Sequence, residues 1–435
     1  MNSTPAFHAK SLSATVVQTA IPIAVLASLK LLGAEATATA AAATPTSDWS
    51  TSASLTVKET YDSNVYMQSV SPLANQGSLV TFFAPSVGVQ WKPSTMFNIA
   101  LNYSPEVSFY HSESSEDFVT HKASANLNGK IGDATWEFLN SLAWIDGNDE
   151  SPTFFGPGGA PAVGGVPLRD RRDAAIWRNS FKFQQPLGDN WFVRPVATFY
   201  LHDFMTAQKA NPPGATYANY VDRSDINGGL DFGRRITGDT WCFIGYRYGS
   251  QHQATALNTT IAYSNDYQRI LAGLEGKPFS WLKLNLSAGP DFREFGHDVP
   301  VGFERHKTLL FIDASATVTP TKTDSITLSA KRFEQPGYGG ASVFEDATYE
   351  LAWRHKFGAK MTIGAGARLL NWDVEDPVKR NEWWYNGNAM AAYAFDKHWT
   401  AEIGYSYDSV ESLVANTAGR EAERHLGYGS VKYTF

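Results

Sequence analysis

The stretch Phe97-Asn98-Ile99-Ala100-Leu101-Asn102-Tyr103, carried on by Glu106-Val107-Ser108-Phe109, decides what kind of fold this chain makes. Apolar Phe97, Ile99, Leu101, Tyr103, Val107 and Phe109 alternate with Asn98, Ala100, Asn102, Ser104, Glu106 and Ser108. Successive side chains of a strand point to opposite faces, so this period of two predicts a strand with one oily and one polar side. The pattern returns in Leu282, Leu284, Leu286, Ala288 and Phe292 against Lys283, Asn285, Ser287, Asp291 and Arg293. It returns again in Trp399, Ile403, Tyr405 and Tyr407 against Thr400, Glu402, Ser406 and Asp408.

Between these strands the connections alternate in length. Short turns fall at Lys92 to Thr95, Ile131 to Ala134, Leu187 to Asn190, Thr237 to Asp239, Lys277 to Ser280, Pro320 to Thr323, Gly358 to Lys360 and Asp396 to His398. Long polar loops run from Asp146 to Arg171, Met205 to Asn219, His252 to Ala262, Gln335 to Val343 and Ser409 to Arg420. Short turn, long loop, repeated along a chain, is the asymmetry of an up-and-down barrel whose two ends face different compartments. The punctuation marks off about 18 antiparallel strands of about 10 to 16 residues, an all-β transmembrane barrel with short periplasmic turns and long extracellular loops. Trp91, Trp136, Trp191, Trp281, Phe395, Trp399 and Phe435 lie beside the short turns, and Tyr110, Trp144, Phe204 and Trp383 toward the long loops. These make two aromatic girdles, which a soluble sandwich has no reason to build. Pro85, Pro105, Pro195 and Pro290 fall inside strands and predict bulges or rim positions there, because a closed barrel has no edge on which a missing donor is harmless.

Composition agrees by exclusion. Beyond residue 45 no run is long and apolar enough for a membrane helix. A single cysteine, Cys242, excludes a disulfide scaffold or a Cys-rich metal site, and the scattered histidines lack ligand spacing. A net charge of -7 argues against a nucleic-acid partner, and no cofactor motif stands out. Ahead of the barrel, Lys10 precedes an apolar run from Ala14 to Leu29, then Lys30-Leu31-Leu32 and Ala/Thr-rich sequence to Ala43. Residues 1–40 therefore read as an export signal cleaved near 36–43, and residues 45–435 as one barrel domain in the bacterial outer membrane. Val431, Tyr433 and Phe435 alternate with polar neighbours and end on an aromatic, resembling the assembly signal of such barrels; this implies the barrel-assembly machinery and outer-membrane lipid as partners.

Near the start of the barrel, Glu59-Thr60-Tyr61-Asp62-Ser63-Asn64-Val65-Tyr66 resembles the acidic-Tyr-Asp-x-Asn-Val opening of the outer-membrane β-barrel porins grouped with exopolysaccharide-secretion barrels. The resemblance implies a superfamily and no particular substrate. By physical chemistry alone the same residues read as a turn, since Asp and Asn bond their own backbone.

The face opposite the oily one carries Arg178, Arg194, Arg223, Arg247, Arg269, Lys283 and Arg293, with Arg354, Arg368 and Arg424 further on. Asp225, Asp231, Glu275 and Asp291 share that face. Two readings stay open: a mixed-charge wall braced by ion pairs, or a basic track that favours anions. Loop Asp146 to Arg171 predicts a constriction, with Phe154, Phe155, Arg169, Arg171 and Arg172 folding over the pore mouth. His202-Asp203 and His297-Asp298 are the nearest approaches to an enzymatic pair, but adjacent strand residues point apart, so no enzyme is expected. The expected function is a pore for passive passage of small hydrophilic solutes or saccharides, anions among them. An exopolysaccharide conduit is the alternative within the class, and a barrel-embedded hydrolase or surface-binding barrel the alternative outside it.

Overall fold

The computed structural model describes residues 48–67, 69, 74–94, 96–146, 173–205, 220–257, 259–337, 342–376, 379–412 and 421–435. The export signal read at residues 1–40 and the constriction residues Phe154, Phe155, Arg169, Arg171 and Arg172 lie outside them.

Among the described residues the chain forms nineteen strand segments in one closed sheet. They are β1 (Trp49–Asp62), β2 (Ser78–Ser94), β3 (Phe97–Tyr103), β4 (Glu106–Tyr110), β5 (Phe118–Ile131) and β6 (Ala134–Asp146). Next come β7 (Ala174–Leu187), β8 (Trp191–Phe204), β9 (Arg223–Thr237), β10 (Thr240–Gln253), β11 (Asn265–Phe279), β12 (Leu282–Phe295) and β13 (His306–Val318). The last are β14 (Asp324–Pro336), β15 (Val343–Phe357), β16 (Met361–Asp376), β17 (Arg380–Ala394), β18 (Trp399–Ser412) and β19 (Ala422–Thr434). Segments β3 and β4 are two halves of one strand, both flanked by β2 and β5, so the wall has eighteen strands. Every pairing is antiparallel, and β19 returns to β1 to close the barrel, from Ser54↔Thr434 to Asp62↔Leu426.

The eight short turns all fall at one end. Gly132 and Gly238 each open a two-residue turn at positive φ (60° and 49°), the backbone that tight hairpins need and that glycine adopts without a Cβ clash. In the turn before β18, the Asp396 carboxylate accepts the backbone N–H groups of His398 and Trp399 at 2.7 and 2.8 Å, which holds it below its ordinary range.

The barrel is inverted relative to a soluble protein. Ile244 and Ile403 stand 67% and 65% exposed on the outer face, whereas Asp291 and Arg424 are fully buried within. Such a surface is stable only where the outer solvent is hydrocarbon, so the protein is a transmembrane barrel of the outer-membrane type. At the short-turn end an aromatic chain runs across neighbouring strands: Trp49 stacks on Trp91 (5.3 Å between ring centres), Trp91 meets Phe97 (5.9 Å), and Phe97 meets Trp136 (5.7 Å). Across the seam Trp399 meets Tyr433 and Tyr433 meets Phe435, whose N–H donates to the Ala53 carbonyl at 2.9 Å.

The four prolines do not produce the expected bulges. Pro105 splits β3 from β4, and the register on either side of the break places it opposite Pro85. At Pro195 only the ladder to β7 lapses, and at Pro290 only the ladder to β11; each resumes in the same register, while the opposite ladder is unbroken. A proline removes one donor toward one neighbour, so at Pro195 and Pro290 two residues of a single ladder are the whole cost, whereas at Pro105 the ladders to β2 and β5 both lapse. Inward glycines let aromatics lie flat across the wall: Phe192 on Gly233, Phe243 on Gly273, Tyr267 on Gly249 and Tyr428 on Gly404, each pair directly opposite across two strands.

The intact, detergent-solubilised protein should migrate faster before boiling than after it and fractionate with outer membranes. Recovery as a soluble periplasmic protein would contradict the inverted surface described above.

Candidate functional site

Alternation from the wall sends the predicted cationic and acidic residues inward, and the structure shows which of them meet. On β8 to β12 they form a lattice. Arg194 Nε donates to Asp231 at 2.9 Å and its Nη1 to Glu275 at 2.6 Å, while Arg247 takes the other Asp231 oxygen at 2.6 Å. Arg247 and Arg269 are directly opposite on β10 and β11, a repulsive placement that the flanking carboxylates offset. Arg269 Nε donates to Asp291 at 3.0 Å, and Arg293 donates to the same carboxylate through Nη2 at 2.9 Å. Asp225 has no Arg partner in this lattice; it accepts from Tyr267 Oη and Gln251 Nε2, both at 2.8 Å. Arg178 and Arg223 both sit over the Tyr200 ring, at 5.3 and 5.6 Å. Of the two readings left open, this sector has the geometry of a braced wall rather than a free basic track.

The other sector holds a cavity of about 780 Å³ framed by β1, β2, β4, β5 and β13 to β19. Its lining contains five cations, Lys58, Lys331, Arg354, Arg368 and Arg424, and six anions, Asp62, Glu106, Asp313, Glu350, Glu402 and Asp408. Most are paired: Lys331 with Asp313 at 3.4 Å, Arg368 with Glu350, and Arg424 with Asp408 at 3.0 Å and Asp62 at 3.8 Å. Arg354 has no carboxylate partner among the described residues. Lys283 faces the interior at the short-turn end of β12 and is solvent-exposed, apart from both groups. Asn386, Asn388 and several hydroxyls complete a lining that can both donate and accept hydrogen bonds.

The turn residues of the sequence motif serve the barrel seam. Asp62 Oδ1 accepts the Asn64 N–H at 2.9 Å, as a self-bonding turn requires, and Asn64 Nδ2 reaches the Glu423 carbonyl at 2.9 Å. Ser63 and His425 exchange two further bonds, so Asp62-Ser63-Asn64 staples β1 to β19. Beyond the staple the chain turns inward. Val65 joins Val80, Tyr110 and Phe118, and Met67, at a positive φ of 51°, joins Phe344, Leu370, Trp372, Val374, Trp384, Val410 and Ala422. Between them Tyr66 donates to Glu113 at 2.8 Å, and burial raises its phenol above the ordinary value. Val65, Tyr66 and Met67 of this first loop therefore occupy part of the long-loop end of the interior. Two apolar residues, Val65 within the motif and Met67 just after it, were the available signal beside the polar turn residues.

No protein-family model and no curated protein matches the chain. Among solved structures it is similar to OccAB3 of Acinetobacter baumannii, at 11% identity over 88% of this chain and 99% of that one, with a TM-score of 0.40. OccK1 (OpdK) of Pseudomonas aeruginosa gives 8% identity, 88% and 99% coverage and 0.43. The siderophore receptor PirA of the same species gives 8%, 90% and 81%, and 0.42. At these values the likeness is one of barrel to barrel and carries no argument about cargo.

What the interior can do follows from its own groups. A wall of mutually paired charges offers hydroxyls and amides both donors and acceptors. The His-Asp pairs build no dyad: His202 is buried inward against Tyr200 and Phe204, and Asp203 faces out on the same strand. His297 and Asp298 are exposed in the loop before β13.

Proposed function

We propose that the protein is an outer-membrane pore for passive passage of small hydrophilic solutes, neutral or zwitterionic ones such as saccharides before anions. The observation that carries this reading is the near-balance of five cations against six anions around the 780 Å³ cavity of a membrane-spanning barrel. A pore favours anions through rings of uncompensated Arg and Lys. Here Asp231 and Asp291 each bind two of the arginines that would make such a ring. The alternative of a polymer conduit needs a continuous bore, and the apolar cluster around Met67 fills part of the mouth. In planar bilayers the protein should give discrete conductance steps with a reversal potential near zero under a KCl gradient, and liposomes holding it should swell in neutral sugars. Arg354→Glu, which shifts the lining from five against six to four against seven, should move the reversal potential toward cation preference. Absence of both conductance and swelling would end the proposal, and strong anion preference in the unaltered protein would restore the basic track.

A further inference from the structure

The wall is incomplete at one place. Strands β13 and β14 pair from Val318↔Ile326 up to Ile312↔Arg332 and then separate, although both continue toward the long-loop end. On its other side β13 stays paired to β12 as far as Glu294↔His306, and β14 stays paired to β15 as far as Pro336↔Val343. Among the described residues no strand meets the β14-facing edge of Lys307–Phe311.

The freed end of β14 lies across the lumen. Its backbone carbonyls are taken by side chains of distant strands: Pro336 by Arg223 Nη1 at 2.7 Å, Gly337 by Gln253 Nε2 at 2.6 Å, and Glu334 by Gln251 Nε2 at 3.4 Å. Along the wall β10 and β14 are four strand spacings apart, about 19 Å at about 4.8 Å each, beyond the reach of a glutamine. The contact therefore crosses the interior. β15 remains zipped to β14 on one side and, from Phe344↔Val374 downward, to β16 on the other. The ends of β14 and β15 therefore form one leaf that leans inward with the top of β16; the ladder to β16 shifts register only at the tip of β15, between Val343 and Phe344.

We propose that this leaf is the shutter of the pore, exchanging between its anchors on β9 and β10 and a position zipped to β13. The inference rests on the pore reading above. The register below the split, continued upward, sets Phe311 opposite Phe333, both on the inward face, and Leu309 opposite Gln335. The wall position thus offers the leaf a ladder of backbone bonds in exchange for its three side-chain anchors, which is the two-state element that gating requires. The same continuation turns Glu334 outward, whereas in the anchored position it is buried beside Lys307 at 3.4 Å and Arg293 at 3.9 Å. That difference favours the closed state.

The test uses the full chain with Cys242→Ser. Phe311→Cys with Phe333→Cys should cross-link under oxidant in lipid vesicles, read as a gel shift, and lock the channel at high conductance until a reductant is added. Arg223→Ala with Gln253→Ala, which removes two anchors, should raise the open-to-closed ratio by about tenfold or more. Heat-modifiable migration checks that each variant folds. Cross-linking without conductance in any form would sink the pore reading and leave the moving leaf standing. A conducting protein whose cysteines do not cross-link, and whose open-to-closed ratio ignores the anchors, would overturn the shutter.

Discussion

Asp291→Ala should cost the barrel about 3–5 kcal/mol of stability, the range for removing one partner from a buried ion cluster. Asp291 is fully buried and holds both Arg269 and Arg293, so its loss leaves two guanidinium groups without their shared acceptor. Arg293 keeps the neutral acceptors Gln251 at 2.8 Å and Asn265 at 3.2 Å, and a carboxylate, Glu334, only at the longer distance of 3.9 Å. Unfolding by denaturant in detergent, followed through Trp fluorescence, measures the loss. Asp291→Asn keeps the shape and one acceptor oxygen and should fall between the two. An alanine variant as stable as the parent would mean that water enters this sector freely and that the lattice is solvated rather than buried.

Trp384→Ala should cost about as much, about 3–5 kcal/mol, for a different reason: it opens a cavity in a packed cluster. Trp384 is fully buried, packs edge-on against Trp372 at 5.9 Å and donates its indole N–H to Asp408 at 3.1 Å. Removing it unseats Met67 and takes one donor from the carboxylate that also binds Arg424. Conductance should therefore rise while stability falls, since the displaced first loop occupies the mouth. A loss of stability with unchanged conductance would show that the Met67 cluster props the wall without narrowing the path. Trp384→Phe keeps most of the volume and should preserve conductance.

The architecture was legible because the two signals it rests on are local. Side-chain alternation has a period of two wherever a strand separates hydrocarbon from an interior, and glycine or proline marks the reversals; both are properties of neighbouring residues. That is why Gly132, Gly238 and Gly358 and the aromatics beside them identify the short-turn end from sequence alone. The same rule put the arginines and carboxylates on one face, and Pro195 and Pro290 departed from expectation only in needing a lapse of one ladder instead of a bulge.

Alternation says which face a residue takes and nothing about height or depth. Whether Arg194 stands free or meets Asp231 and Glu275 depends on how three strands are staggered, which the closed register decides. Met67 and the end of β14 leave the wall for the interior, and their partners lie hundreds of residues or several strands away. Such contacts form only once the barrel has closed and the interior has a finite width, so charge pairing and the occupied mouth belong to the tertiary structure, while strand, face and membrane setting belong to the sequence.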